Sequence, residues 1–117
     1  MQYILLIYEN EAEAKARPQE ETQRIYGEYM AFTGAIKQSG QLRAGEPLEP
    51  SSTATSVRVK GGKTLRSDGP FAETREQLGG FYIVEAKDLD EAVGIAARIP
   101  AAKTGVVEVR PIMKLMQ

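Results

Sequence analysis

The sequence predicts one α+β domain with an antiparallel sheet and two main helices on one face. The chain has 117 residues, which is the length of a single domain, so the prediction covers residues 1–117 as one unit. Hydrophobic residues make up 42% of it and charged residues 26%, ordinary values for a globular protein. Short apolar runs typical of strands alternate with two stretches of helical periodicity, which gives the fold class.

The first element is a strand over residues 2–8. Every side chain from Tyr3 to Tyr8 is apolar or aromatic, so both faces of the strand are apolar. Such a strand is typical of the middle of a sheet with packing on each side. Residues 9–17 are rich in Ala and Glu and are expected to form a polar connector.

The first main helix is expected to begin at Pro18 and to end at Gly40. Its apolar residues fall at steps of four, three and four and form one stripe: Ile25, Tyr29, Phe32 and Ile36. Gly27 and Gly34 lie inside this helix. Either they permit close approach to the sheet, or they weaken the helix without a packing role; the sequence favours neither.

A second strand is expected over residues 41–47, followed by a hairpin of residues 55–60 and 63–68 around Gly61 and Gly62. Further strands are expected over 81–86 and 106–112. A short helix is predicted over residues 72–77, stopped by Gly79 and Gly80.

Two registers are open to the hairpin. A two-residue loop pairs Leu65 with Arg58, whereas a three-residue loop with a left-handed glycine pairs Leu65 with Val57. We expect the second, because hydrophobic pattern sets the register where one face is buried. That register places Arg58, Arg66 and Asp68 together on the other face.

The second main helix has a start resembling a capping box, Asp88 followed by Glu91, and Pro100 ends it. Its predicted stripe consists of Leu89, Ala92, Val93, Ala96 and Ile99.

The element order is β-α-β-(hairpin)-β-α-β, which is that of a ferredoxin-like plait with an inserted hairpin. In a plait one sheet face carries the helices and the other is open. Because the strands over 2–8 and 81–86 are apolar on both faces, the open face is expected to meet the sheet of a second copy. We therefore expect a homodimer.

Composition excludes several function classes. A net charge of −1 argues against nucleic-acid binding and against a polybasic membrane contact. The absence of Cys excludes a disulfide scaffold, a zinc ribbon and a thiol nucleophile. The absence of His removes the commonest general base and metal ligand. We expect no metal site and no cofactor, and, since the apolar run at the N-terminus is short and followed by acidic residues, a cytoplasmic location.

The run from Asp68 to Tyr82, DGPFAETREQLGGFY, resembles the signature of the DGPF-domain proteins, part of the YCII-related family. Residues 1–9, 45–48 and 107–112 also resemble segments of that family, so the likeness extends over nearly the whole chain. The resemblance implies a dimeric α/β-barrel assembly of ferredoxin-like plaits. It implies no settled activity: members are small bacterial proteins, some of them linked to extracytoplasmic-function sigma factors.

One departure from the family concerns catalysis. Relatives suspected of catalysis carry a His on the first helix together with an Asp, and the corresponding place here is near Tyr29. A distant relative is a dehydrochlorinase acting on a hydroxyquinone. Because this chain has no His, a His–Asp mechanism cannot be transferred to it.

Asp68 is the candidate catalytic residue. It stands at a strand end before Gly69 and Pro70, where a turn can direct its carboxylate into a cavity and an apolar wall would raise its pKa. The alternative is a turn residue that accepts backbone N–H bonds, the commoner role of an Asp before Gly. Neighbouring Arg58 and Arg66 would lower the pKa and favour the alternative.

The candidate substrate-binding residues are Arg110, Tyr82, Tyr29, Glu73 and Thr74. Arg110 can hold a carboxylate or enolate, or it can form an ion pair with Glu108. The tyrosines can donate hydroxyls to a ligand or belong to the core. Glu73 and Thr74 can line a pocket mouth or lie on a solvated helix face.

Two functions of different classes follow. One is a small-molecule-binding protein with cofactor-free isomerase or elimination activity, in which Asp68 moves a proton and Arg110 holds negative charge. The other is a non-catalytic regulatory domain whose partner is a sigma factor.

Overall fold

The computed structural model describes residues 1–115. Over that range the chain forms six strands and three α-helices: β1 (Gln2–Glu9), α1 (Glu11–Lys15), α2 (Gln19–Gln38), β2 (Leu42–Pro47), β3 (Thr55–Lys60), β4 (Lys63–Asp68), β5 (Gln77–Glu85), α3 (Leu89–Ala97) and β6 (Val106–Pro111). The α+β class is confirmed. None of the helices within these residues is long and apolar enough to cross a membrane.

Four strands form the main sheet in the order β2-β5-β1-β6, and each neighbouring pair is antiparallel. β1 is therefore an interior strand, as its apolar faces predict. Leu5 stands opposite Val109, and Ile7 stands opposite Val107. Val107 and Val109 therefore point to the same side of the sheet as Leu5 and Ile7.

The core lies between one face of the main sheet, here called the inner face, and helices α2 and α3. The inner face of β1 carries Tyr3, Leu5 and Ile7, all buried. These side chains belong to one cluster with the helical residues Phe32, Ile36, Ala92, Ile95 and Ala96. The opposite, outer face of β1 carries Ile4 and Leu6, which are half-buried.

The α2 stripe is confirmed in kind, since Phe32 and Ile36 are buried and Tyr29 packs against the core. The α3 stripe is partly wrong: Leu89 is 52% exposed and Val93 49% exposed, whereas Ile95 is buried. The predicted cap is present, because the Asp88 carboxylate accepts a hydrogen bond from the backbone N–H of Glu91 at 2.9 Å.

Strands β3 and β4 form a separate two-stranded sheet, here called the arm. The predicted arm register is wrong: Arg58 stands opposite Leu65 and Val57 opposite Arg66. Asp68 and Arg66 share one face, and Arg58 is on the other. Every arm side chain except Ser56 is exposed, so no buried face was present to fix the register.

The arm's loop is the two-residue one. Gly61 and Gly62 both have positive φ, +57° and +75°, as a tight two-residue hairpin turn requires. The turn, and not the apolar pattern, therefore sets the register.

Two further predictions are corrected, and the question left open about Gly27 and Gly34 is answered. Residues 72–77 do not form a helix: they lie in bends, and β5 begins at Gln77 and passes through Gly79 and Gly80. The connector over 9–17 contains α1, whose N-cap is Asn10. A Cβ at Gly27 or Gly34 would meet no atom within 4 Å, so these glycines do not serve close approach to the sheet.

Candidate functional site

A cavity of about 460 Å³ lies between α2 and one end of the main sheet. Helix α2 contributes Tyr26, Tyr29, Met30 and Thr33 to its wall. The sheet contributes Ile7, Glu9, Gly45, Glu46, Pro47, Gly79, Gly80, Phe81 and Tyr82. The cavity is open to solvent on one side, and its surface is mostly apolar, which is typical of a small-molecule site.

A pair of hydroxyls crosses from α2 to β5 within this wall. Thr33 Oγ1 and the Tyr82 hydroxyl lie 2.7 Å apart, and either oxygen can be the donor. The Tyr82 ring meets the Phe32 ring edge to face, with centroids 5.2 Å apart and planes at 74°. The hydrogen bond and the ring contact together fix the position of Tyr82.

Gly45 on β2 is required by the position of Tyr82. A Cβ at Gly45 would lie 2.7 Å from Cδ1 of the Tyr82 ring, closer than two carbon atoms can approach. A side chain at this position would push the ring out of its place beside Thr33. Gly45 therefore holds space for the aromatic wall of the cavity.

Two carboxylate residues line the cavity, Glu9 and Glu46. Side chains alternate along β1, so Glu9 follows Ile7 on the inner face. Glu46 stands opposite Phe81, which in turn stands opposite Leu6 of the outer face. Glu9 is thus the carboxylate that the strand register directs toward α2.

The Glu9 carboxylate is held through one of its oxygens. Oε2 accepts hydrogen bonds from Arg17 Nη2 and from the Thr104 hydroxyl, each at 2.7 Å. The ion pair is mostly shielded from solvent and raises the pKa of Arg17. The arrangement keeps an anionic carboxylate at the cavity wall.

Tyr29 lies next to this carboxylate in the cavity wall. Burial raises the pKa of Tyr29 to about 12, and the negative charge of Glu9 adds to the shift. The phenol therefore stays protonated at neutral pH. It can donate a hydrogen bond to a ligand, but it does not act as a base there.

The rim of the cavity is tied down by α1 and the residue before it. The Asn10 side-chain amide donates to the Arg75 carbonyl at 3.0 Å, and the Glu11 N–H donates to the Gln77 side-chain oxygen at 2.9 Å. The Glu11 carboxylate accepts from the backbone N–H of Ser51 at 2.7 Å. These contacts fasten the chain on both sides of the arm to the end of the main sheet.

Of the candidate residues, Tyr29 and Tyr82 line the cavity; the others do not. Asp68 is exposed on the arm opposite Thr55. Its neighbour Gly69 holds the bend with its own backbone, since its N–H donates to the Ala54 carbonyl at 2.7 Å. Within residues 1–115 the Asp68 carboxylate accepts no hydrogen bond, so its roles as catalyst and as turn acceptor both stay predictions.

Arg110 is exposed on β6, and its Nε lies 3.3 Å from Glu108 Oε2, so the ion pair weighed from the sequence is present. Glu73 is exposed in the segment between the arm and β5. The Thr74 hydroxyl donates to the Glu76 carbonyl within the same segment. The structure therefore does not bring Asp68, Arg110, Glu73 and Thr74 together with the two tyrosines.

Sequence reasoning missed Thr33 and Glu9 as cavity residues. The signal for Glu9 was present, because it continues the alternation of Tyr3, Leu5 and Ile7 by one more step. Within residues 1–115 no group of three or more carboxylates is placed to hold a metal ion.

Comparisons with known proteins agree with this fold. A solved structure of 5-chloro-2-hydroxyhydroquinone dehydrochlorinase from Burkholderia phenoliruptrix AC1100, in complex with 2,5-dihydroxybenzoquinone, is similar with a TM-score of 0.51. The likeness covers 97% of this chain and 94% of that one at 19% identity, and it shows the fold alone.

An uncharacterized protein of Rhizobium meliloti (strain 1021) is 38% identical over 114 residues, which are 96% of this chain and 92% of that protein. The model of the YCII-related domain matches residues 1–116. The chain therefore belongs to the YCII-related domain family.

Proposed function

We propose that this protein binds a small, uncharged, hydroxylated aromatic molecule in the cavity between α2 and the main sheet. The reaction class proposed with it is cofactor-free proton transfer leading to elimination or isomerisation. The single observation that carries the proposal is the composition of the cavity wall: aromatic and apolar surface, four hydroxyls and one directed carboxylate.

The wall favours a neutral aromatic ligand over an anion. Tyr26, Tyr29 and Tyr82 offer ring surfaces, on which a planar ligand can stack. The charged residues that line the cavity are carboxylates, and the nearby guanidinium of Arg17 is already paired with Glu9. An anionic ligand would meet repulsion, whereas phenolic hydroxyls would find acceptors and donors.

Glu9 is the proton acceptor that we propose. Its Oε2 is occupied by Arg17 and Thr104, so Oε1 is the oxygen available to a ligand hydroxyl. Removal of a ring hydroxyl proton lets the ring carbon that bears chlorine take up a proton from water, which gives the keto tautomer. Loss of the second hydroxyl proton then expels chloride from that sp3 carbon with its bonding pair and leaves the quinone. The similarity to a dehydrochlorinase supports this class of reaction. Asp68, the acceptor expected from the sequence, lies on the exposed arm of the same chain.

The protein is proposed to act as a homodimer with two main sheets face to face, the ferredoxin-like assembly expected from the sequence. The outer face carries Ile4, Leu6, Phe81 and Ile83, whereas the helical cluster packs on the inner face. An apolar sheet face of this kind needs cover. Light scattering at micromolar concentration should give twice the monomer mass of 12.8 kDa.

Calorimetric titration with hydroquinone and with benzoate tests the ligand class. Hydroquinone should bind, and benzoate should bind at least about tenfold more weakly because it brings a negative charge to a carboxylate-lined wall. Tyr82→Phe should weaken hydroquinone binding about tenfold by loss of one hydrogen bond. Tyr8→Phe is the matched control, since the Tyr8 hydroxyl faces Glu108 outside the cavity. Equal binding of both compounds would contradict the proposal.

Chloride release from a chlorinated hydroquinone tests the reaction class. Glu9→Gln should lower the rate about a hundredfold, the usual contribution of a general base. Glu108→Gln, on the outer face, should leave the rate unchanged. A Glu9→Gln variant with full activity would remove this mechanism.

The second candidate, a regulatory domain whose partner is an extracytoplasmic-function sigma factor, stays a prediction. Co-purification with such a factor, with and without hydroquinone, tests directly whether the two proteins bind. Failure to co-purify under both conditions would count against it.

A further inference from the structure

The Glu9 carboxylate stands in a partition between two cavities. Glu9 and Tyr29 line the large cavity between α2 and the main sheet, and both also line a smaller cavity of about 70 Å³. The smaller cavity lies between α2 and the turn over residues 100–104 that precedes β6. One carboxylate therefore borders both spaces, so the oxygen that it offers to a ligand depends on how its side chain is turned.

Thr104 approaches Glu9 from the smaller cavity. As the described residues form the two spaces, Thr104 lines the smaller one and not the larger one. Its hydroxyl donates to Oε2 of Glu9 at 2.7 Å. The turn that carries Thr104 is fixed by its own backbone, because the N–H groups of Thr104 and Gly105 both donate to the Ala101 carbonyl, at 3.2 Å and 2.7 Å. The hydrogen bond from Thr104 therefore draws Oε2 to the side away from the ligand.

Gly105 allows this turn to lie directly on Glu9. A Cβ at Gly105 would collide with the carbonyl oxygen of Tyr8 and would stand 3.0 Å from Cγ of Glu9. Only a residue without a side chain permits so close an approach. The packing of Gly105 against the end of β1 is what brings the Thr104 hydroxyl within reach of the carboxylate.

Arg17 holds the same oxygen from a different part of the chain. Its Nη2 donates to Glu9 Oε2 at 2.7 Å and to the Thr104 hydroxyl oxygen at 3.4 Å, so the three side chains meet at one point. Arg17 and Thr104 are 87 residues apart in sequence. The side chains of Arg17 and Glu9 are only 17% and 24% exposed, and an ion pair shielded in this way is well ordered.

We propose that Arg17 and Thr104 are positioning residues for the proton acceptor: they hold Oε2 of Glu9 away from the ligand and leave Oε1 to take the ligand's hydroxyl proton. The inference rests on the proposed function, in which Glu9 is that acceptor. A Glu side chain without partners samples several rotamers, and only some of them direct an oxygen into the large cavity. Misplacement of a reacting group by about 1 Å can cost about a hundredfold in rate.

Chloride release from chlorohydroquinone tests the Thr104 hydroxyl. Thr104→Val replaces the hydroxyl by a methyl group and should lower kcat about tenfold, whereas Thr104→Ser keeps the hydroxyl and should stay within about twofold of the unmodified protein. KM should change less than about threefold in both, because Thr104 lines the smaller cavity and does not touch the ligand. Thr104 is exposed, so neither replacement should disturb the fold.

The same assay tests the guanidinium. Arg17→Gln should lower kcat about tenfold to a hundredfold, again with KM changed less than about threefold. Arg24→Gln is the matched control, because Arg24 also forms a 2.7 Å ion pair, with Glu28, but does so on the exposed surface of α2. Arg24→Gln should leave kcat unchanged. An equal loss in both variants would show that the effect of Arg17 is not specific to Glu9.

A double-mutant cycle separates positioning through Glu9 from a general structural role. In the Glu9→Gln protein the group that Thr104 positions is already gone, so adding Thr104→Val should lower the remaining rate by less than about twofold. A structural role would lower the rate by the same factor in both backgrounds. Equal factors, or a Thr104→Ser variant as slow as Thr104→Val, would overturn the proposal.

The outcomes distinguish this inference from the proposed function. If Glu9→Gln slows chloride release while Thr104→Val and Arg17→Gln keep the full rate, the positioning role is overturned and the proposed function stands. If Glu9→Gln keeps the full rate, or if the unmodified protein releases no chloride, the proposed reaction fails and the positioning role fails with it.

Discussion

The main sheet and the arm are both antiparallel, yet their registers are determined by different things. In the main sheet, Leu5 faces Val109 and Ile7 faces Val107, so the apolar side chains of neighbouring strands meet on the buried inner face. In the arm, Val57 faces Arg66 and Leu65 faces Arg58, so apolar and charged side chains are paired. Hydrophobic pattern sets the register where a face is buried within the chain; elsewhere the turn decides.

The largest expected contrast is in stability. Leu5 and Ile36 are fully buried, so truncation of either to Ala should lower the free energy of unfolding by about 2–5 kcal/mol. Leu65→Ala on the arm removes the same kind of side chain from an exposed site and should cost less than about 0.5 kcal/mol. Urea unfolding measures both. Equal losses in the free energy of unfolding would mean that the arm packs as tightly as the rest of the chain, here called the body, which consists of the main sheet and its helices.

Alkaline titration should report on the body alone, since the arm contains no tyrosine. The pKa of Tyr29 is raised from 10.0 to about 12 by burial and by Glu9. The resulting stabilisation is fully present below pH 10, and it is lost as the pH rises through about 12. Ultraviolet absorbance of ionised tyrosine should show Tyr29 as a late-titrating group.

Tyr29→Phe should remove that late group, whereas Tyr26→Phe, which changes an exposed ring on the same helix, should leave it. A late phase that survives Tyr29→Phe would assign the shift to another residue.

A smaller gain in stability is expected within α2. Gly34 has open space where a Cβ would stand, so Gly34→Ala should stabilise the protein by about 0.5–1 kcal/mol through the reduced entropy of the unfolded chain. Gly45→Ala should instead destabilise it, because the new Cβ would displace Tyr82. Thermal unfolding compares the two variants. Stabilisation by Gly45→Ala would show that the Tyr82 ring has room to move.

The smallest global effect is expected at the arm's turn. Gly62 has φ of +75°, which Val does not adopt without strain, so Gly62→Val should loosen the arm. In dilute solution the free energy of unfolding of the body should change by less than about 0.5 kcal/mol. Hydrogen exchange should show lost protection at arm amides and unchanged protection in β1. Lost protection in β1 as well would show that the two regions unfold together.

Most of the fold could be predicted from the sequence because most of its elements have buried faces. The stripe of α2 and the inner face of β1 both reflect burial, and both predictions are confirmed in kind. Packing on the outer face of β1 stays a prediction. The prediction for 72–77 failed because the segment, AETREQ, consists mostly of helix-forming residues, so its local preference favours a helix that the packed chain does not form. Gln77 instead begins β5, and its side chain accepts a hydrogen bond from the Glu11 N–H. Leu89 and Val93 failed because spacing alone does not say which side of a short helix meets the sheet.

The site was less predictable than the fold. Tyr29 and Tyr82 were selected as hydroxyl donors, and they do line one cavity. Asp68 was selected for its place before Gly69, but local turn chemistry carries no information about which part of the fold a turn faces. Alternation along β1 places Glu9 on the inner face, but only the packed chain shows that this end of the strand lies beside α2 and the cavity.

The hydroxyl pair of Thr33 and Tyr82 has a consequence for the oxidation state of a ligand. Either oxygen can donate, so by turning two hydrogens the pair can present a donor or an acceptor to the cavity. A quinol offers O–H groups and the corresponding quinone offers carbonyls. A cavity wall that can hydrogen-bond to O–H groups and to carbonyls would hold the reduced and the oxidised form of one ring with similar affinity. Selectivity between the two forms would then have to come from the carboxylate of Glu9.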